Sequence, residues 1–299
     1  MKHAFFIILA ACTWGIISIY VNVLHAAGFT SMQCVALRTV ISLPLLLVFL
    51  LVTDRSKLKI RRIDLPLFAG TGICSMVFFN FCYFQCMEVM GSAAVPALLL
   101  YTAPAMVMMM SSIFFHEKIT AKKIAALAVT FLGLGVVTGA FGGGAAISVN
   151  AILLGIGSGF GYALYSIFGK PLSKKYDSLT ITFYTFLTAA VVSVPVSGIG
   201  KNLKPLSDGR ILLWVLAMAV FSTIIPYLAY TIGLSGMEAG KASVLACVEP
   251  VAATVTGVLF FGESLTPNKL FGMACILAAV MMLNVHIPVR IRRRQHRLV

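Results

Sequence analysis

Apolar stretches of about twenty residues, nearly free of charge, follow one another along the whole 299-residue chain. They run over 4–26, 31–53, 65–88, 93–115, 123–141, 150–170, 178–199, 210–235, 241–261 and 269–287. At ~1.5 Å of rise per residue, each is long enough as a helix to cross ~30 Å of hydrocarbon. Only 11% of the residues are charged and the mean hydropathy is +1.00, whereas soluble domains carry about 25% charged residues. Such a chain cannot bury its apolar surface in water, so its solvent is the lipid bilayer. The fold class expected is an all-α integral membrane protein with ten transmembrane helices. Met1-Lys2-His3 followed by an apolar run to about Leu24 looks like a signal peptide. The run exceeds the usual ~7–15-residue apolar region and no small-x-small site follows, so it is read as a retained first helix.

The second constraint is internal repetition. Pro104, Phe114, Phe115, Glu117, Thr120, Lys123 and Ala128 recur 146 residues later as Pro250, Phe260, Phe261, Glu263, Thr266, Lys269 and Ala274. These seven identities within thirty positions are several times what the composition gives by chance. A duplicated membrane domain points to a transporter. Five spans fall in each repeat, and an odd number returns the chain to the other face, so the repeats are inverted. The expected division is a first five-helix repeat over 1–145, a second over 146–290, and a basic tail over 291–299. Inverted halves can exchange conformations, which suits alternating access.

Basic residues set the expected orientation. Seventeen Lys and Arg fall in loops and termini on one side of this alternation and four (Lys201, Lys204, Arg210, Lys269) on the other. By the positive-inside rule both termini are cytoplasmic, in the cell (cytoplasmic or inner) membrane. The formal net charge of +14 is therefore a topology signal, and being parcelled into short juxtamembrane loops it does not point to nucleic acid. The seven cysteines lie in apolar segments with no Cys-x-x-Cys pair or Cys/His cluster, so neither a disulfide framework nor a metal site is expected. There is no phosphate-binding lysine loop, no His-Glu-x-x-His and no Gly-x-Ser-x-Gly. An enzyme, ATP-driven transport and a cofactor are not expected; a gradient-driven or facilitative carrier is. A homodimer is left open.

Two charges fall deep in the bilayer. Glu249 lies eight residues into the ninth span, ~12 Å along a helix, beside Pro250, which leaves the Ala246 carbonyl without its helical donor. A charge at that depth costs about 2.5–3.5 kcal/mol on the insertion scale, so a wet cavity fits better than a lipid face. Glu249 is open to proton coupling, to binding an ammonium group, or to a structural hydrogen bond. Arg38 sits about two helical turns into the second span. It can pair with Glu249, hold a substrate carboxylate bidentately, or serve packing alone. Trp14, Tyr83, Tyr101 and Tyr165 lie too deep for an interfacial belt and are candidate pocket walls. The elbows at 114–123 and 260–269 read as structure, with Thr120 and Thr266 as helix N-caps and each Glu paired with Lys123 or Lys269. The glycines at 155, 157, 159 and 161 suit close helix packing.

Together these elements resemble the drug/metabolite transporter superfamily, specifically the EamA-like ten-helix carriers. Trp14-Gly15, Arg38, Glu249-Pro250-Val251, Gly257, Gly262-Glu263-x-Leu265-Thr266 and Gly272 carry the resemblance, more weakly echoed by Pro104 and Glu117-x-Ile119-Thr120. His116 replaces the usual glycine, and Ala103 stands where a Glu would precede Pro104. The resemblance implies a membrane carrier with a central cavity between its halves and a small-molecule substrate. The function expected is secondary transport, most naturally export, of an amino acid or related metabolite by alternating access. The alternative is proton-coupled efflux of cationic drug-like compounds.

Overall fold

A computed structural model describes residues 2–91, 94–140 and 148–284; the glycine turn at 142–144, part of the 88–92 connection, His286 and the basic tail lie outside them. All regular structure among the described residues is helical. Among these residues nine helices are long and apolar enough to span: α1 (Lys2–Ala26), α2 (Ser31–Thr53), α3 (Arg62–Met90), α4 (Ala94–Phe115), α5 (Ala121–Thr138), α6 (Val149–Leu172), α7 (Ser178–Ser197), α8 (Gly209–Ser235) and α9 (Ala239–Phe261). The tenth, α10 (Pro267–Asn284), is apolar and slightly shorter. The protein is an all-α, ten-helix membrane protein, as its apolar segments require.

Helix ends follow local chemistry. Thr30 caps α2 in a reciprocal capping box with Gln33. The Thr120 side chain accepts from the Lys123 N–H at 3.3 Å, and Thr266 accepts from Lys269 at 3.3 Å, so both elbow threonines are N-caps. Pro267 occupies the first position of α10, where a missing N–H costs nothing.

The repeat is visible in the packing. Helix α5 packs on α10, α2 on α7, α1 on α8, and α3 on α6. Exchanging each helix with its counterpart five places on maps this set of pairs onto itself, as a pseudo-two-fold relation demands. Local irregularities repeat too. Helix α4 breaks at Tyr101-Thr102 into α4a (Ala94–Leu100) and α4b (Ala103–Phe115). Helix α9 breaks at Cys247-Val248 into α9a (Ala239–Ala246) and α9b (Glu249–Phe261). The prolines two residues after each break explain it, since neither can donate back to the preceding turn. Helices α3 and α8 each hold a π-helical stretch, Gly70–Val77 and Val220–Ile224. Such stretches free backbone carbonyls and often accompany sites.

Candidate functional site

Helices α1 and α6 approach the two breaks closely because they present glycine there. A Cβ on Gly15 of α1 would stand 2.5 Å from the Ala252 Cβ and 2.8 Å from the Glu249 carbonyl oxygen. A Cβ on Gly159 of α6 would stand 2.6 Å from the Thr102 hydroxyl and 3.0 Å from the Leu100 carbonyl oxygen. Only glycine allows backbones this near. The glycine-rich run of α6 is thus a packing device, as its spacing suggests.

Glu249 opens α9b, directly after the break, and is half-buried. The Tyr162 hydroxyl of α6 donates to its carboxylate at 3.4 Å. Around them stand aromatic rings in edge-on and tilted contact. Trp14 meets Tyr162, Tyr227 and Tyr230 with ring centroids 6.3, 5.4 and 5.5 Å away. Tyr165 meets Tyr227 at 5.2 Å and Tyr230 at 5.8 Å. The phenols are held in place: Tyr165 and Thr231 hydroxyls are 2.8 Å apart, and Tyr230 and Ser166 hydroxyls 2.7 Å.

Arg38 is 5% exposed, about two turns into α2. Its Nη2 donates to the Asn80 side-chain oxygen at 3.4 Å, while the Asn80 amide is anchored on the Met76 carbonyl at 2.6 Å, at the end of the π-helical stretch of α3. Its Nε is buried with no hydrogen-bond partner among the described residues. An unpartnered buried donor on a charged group is costly. Arg38 lies within electrostatic reach of Glu249 and Tyr227. The ion pairs among the described residues are Lys57–Asp177, Lys123–Glu238, Lys175–Asp64 and Lys269–Glu263. Arg38 and Glu249 therefore share one region without consuming each other.

Of the ring residues singled out from sequence, Trp14 and Tyr165 lie in this cluster, Tyr165 almost fully buried. Tyr83 and Tyr101 lie within electrostatic reach of Glu249 from α3 and the α4 break. Tyr101 also borders an open apolar groove of about 370 Å³ on the outside of the bundle, walled on the other side by Ile124, Leu127 and Phe131 of α5. Sequence reasoning passed over Asn80, Tyr162 and Tyr227. Asn80 carried a usable signal, as one of two amides (with Gln85) in the apolar run 65–88; Tyr162 and Tyr227 were legible as rings at helical depth, but periodicity alone does not say which face of α6 or α8 turns inward. One expected pairing is corrected: Glu117 does not pair with Lys123. Both its carboxylate oxygens accept backbone N–H groups, Ala239 at 2.7 Å and Gly240 at 3.1 Å, and Lys123 turns to Glu238 at 2.6 Å. The expected Glu263–Lys269 pair does form, at 2.8 Å.

The sequence pattern of the EamA-like transporter family matches this chain twice, over residues 1–139 and again over 149–285. The chain belongs to the EamA-like transporter family. Its place there makes it a transporter, with a small-molecule substrate and a multi-pass membrane location, and not an enzyme. This EamA-like chain is similar to two uncharacterized transporters of Archaeoglobus fulgidus. One is 27% identical across 98% of this chain and all of the relative, the other 31% identical across 63% and 66%. It is also similar to the threonine/homoserine exporter RhtA of Escherichia coli K12, 29% identical over 45% of each chain. A solved crystal structure shares the fold at 17% identity, with a TM-score of 0.77 over 95% of this chain and 98% of that one.

Proposed function

We propose that this EamA-like protein is a secondary transporter that exports a small zwitterionic metabolite, an amino acid or a related compound, by alternating access. The observation that carries this reading is the state of Arg38: a buried guanidinium with one partner at 3.4 Å and an unpartnered Nε. A planar fork with vacant donors suits a carboxylate. Glu249, half-buried and outside the ion pairs among the described residues, supplies the opposite charge for an ammonium group. Trp14, Tyr83, Tyr101 and Tyr165, joined by Tyr162 and Tyr227, form the walls, excluding water and offering ring faces to a cation. The threonine/homoserine exporter among its relatives supports an amino-acid cargo. The charge bias of the loops supports a cell-membrane location with both termini cytoplasmic.

Counterflow in proteoliposomes tests this. Labelled amino acids and one lipophilic cation are offered to wild type, Arg38→Ala and Glu249→Gln at equal reconstitution. Accumulation of an amino acid by wild type and loss in both variants is the expected outcome. Transport of the cation alone shifts the assignment to proton-coupled efflux of cationic compounds, a reading favoured by the rings around Glu249. Normal amino-acid transport by both variants overturns the site.

A further inference from the structure

The two elbows share one local conformation and differ in what their carboxylates hold. The Glu117 N–H donates to the Ser111 carbonyl at 3.2 Å, and the Glu263 N–H to the equivalent Gly257 carbonyl at 3.1 Å. Each follows a left-handed residue, His116 at φ 56° and Gly262 at φ 66°. Yet Glu263 is exposed and, among the described residues, pairs with Lys269 of its own elbow. Glu117 reaches across to the other repeat and seats the first turn of α9a by accepting the Ala239 and Gly240 N–H groups. Lys123, 7% exposed, adds its bond to Glu238 just before that turn. Lys170 donates to the Leu234 and Met237 carbonyls at the end of α8, closing the α8–α9 connection from the other side.

The packing of whole helices shows the same asymmetry. On the Glu117 face, α4b packs on α9a, and α6 packs on both α9a and the second part of α8 (Ile225–Ser235). The pseudo-two-fold equivalents on the Glu263 face are α9b with α4a, and α1 with α4a and the second part of α3 (Phe78–Met90). Among the described residues these pairs show no comparable packing. One face is therefore closed and clamped, and the other is parted.

From this we infer that Glu117 is a positioning residue that holds the carrier closed on its own face, and that its release from α9a is the step by which that face opens. The inference rests on the alternating-access reading. A carboxylate accepting two N–H groups at a helix start is a strong, charge-assisted contact. It joins the two repeats where they must separate, and substitution there shifts the balance of two states without touching the cargo.

Hydrogen exchange of the full chain in lipid nanodiscs, read by mass spectrometry, tests the clamp. In Glu117→Gln the amides of 239–246 should exchange on the order of tenfold faster. At the same time, amides of 94–100 and 255–261, on the parted face, should exchange more slowly as that face closes. Glu263→Gln should not accelerate 239–246. If Glu117→Gln does not fold, Glu238→Gln, which removes the exposed partner of Lys123, should show the same pattern at smaller amplitude. Acceleration confined to the first turn of α9a, with the opposite face unmoved, would make Glu117 an ordinary helix cap and overturn the inference. Equal acceleration in Glu263→Gln would overturn it too. Counterflow run in parallel separates the two readings: absent counterflow with the exchange pattern intact removes the cargo assignment and leaves the clamp, whereas intact counterflow without it removes the clamp alone.

Discussion

The hydroxyl of Tyr162 stands 3.4 Å from a Glu249 carboxylate oxygen and ties the middle of α6 to the break in α9. No basic side chain pairs with this carboxylate among the described residues, so an ion pair does not already occupy it. On the proposed site, Tyr162→Phe removes a long bond but leaves the charge, so counterflow KM should rise by roughly three- to tenfold. Glu249→Gln removes the charge itself, and transport should fall by about a hundredfold or more, since an ammonium group would then be buried unpaired. Equal effects of the two substitutions would contradict this ranking.

Arg38→Lys should not rescue Arg38→Ala. A lysine restores the charge but not the planar fork, and while one of its three tetrahedral N–H groups bonds Asn80 the other two are not a coplanar pair matched to a carboxylate. Transport by Arg38→Lys is expected to fall at least about tenfold, with expression and thermal stability close to wild type. Asn80→Ala, which leaves Arg38 without its tether, should raise KM more than it lowers the maximal rate. A selective loss of maximal rate would instead assign Asn80 to the conformational cycle.

His116 occupies a left-handed position, φ 56° and ψ 30°, at the end of α4, where the matching elbow has Gly262 at φ 66°. A side chain in that region costs roughly 1–2 kcal/mol, and glycine avoids it. His116→Gly should therefore raise the apparent melting temperature in detergent by about 2–4 °C. The reverse change, Gly262→Ala, should lower it. No change in either would show that neither elbow limits stability.

Gly15→Val places a branched side chain where a single Cβ already meets the Ala252 Cβ at 2.5 Å. Overpacking of this kind typically costs about 1–3 kcal/mol, and here it pushes α1 away from the carboxylate-bearing break. Loss of transport together with a lower melting temperature is the expected result, measured by counterflow and a thermal-shift assay. Gly169→Ala is the control, because its Cβ would find its first neighbour, Leu234 Cδ2, at an ordinary contact distance of 3.4 Å.

Much of the architecture was readable beforehand, and for a definite reason. A helix in lipid must be about twenty residues long and nearly uncharged, so its boundaries are written as composition. Pro104 and Pro250 announced the breaks in α4 and α9, and Thr120 and Thr266 announced the caps of α5 and α10, because these are local effects of one residue on its own turn. Arg38 and Glu249 stood out because charge at depth is costly wherever the helix faces.

What the sequence by itself determined is thus the spans, their two-fold repetition, the kinks and the two deep charges. Tertiary structure alone decided which rings gather at Glu249, that Arg38 turns to Asn80 and keeps Nε vacant, and that Glu117 grips α9a while Glu263 pairs within its own elbow. The physical reason is that the rotation of a helix about its axis in an apolar solvent leaves little periodic trace. Identical elbow residues such as Glu117 and Glu263, moreover, take different partners because the helices packed around them differ.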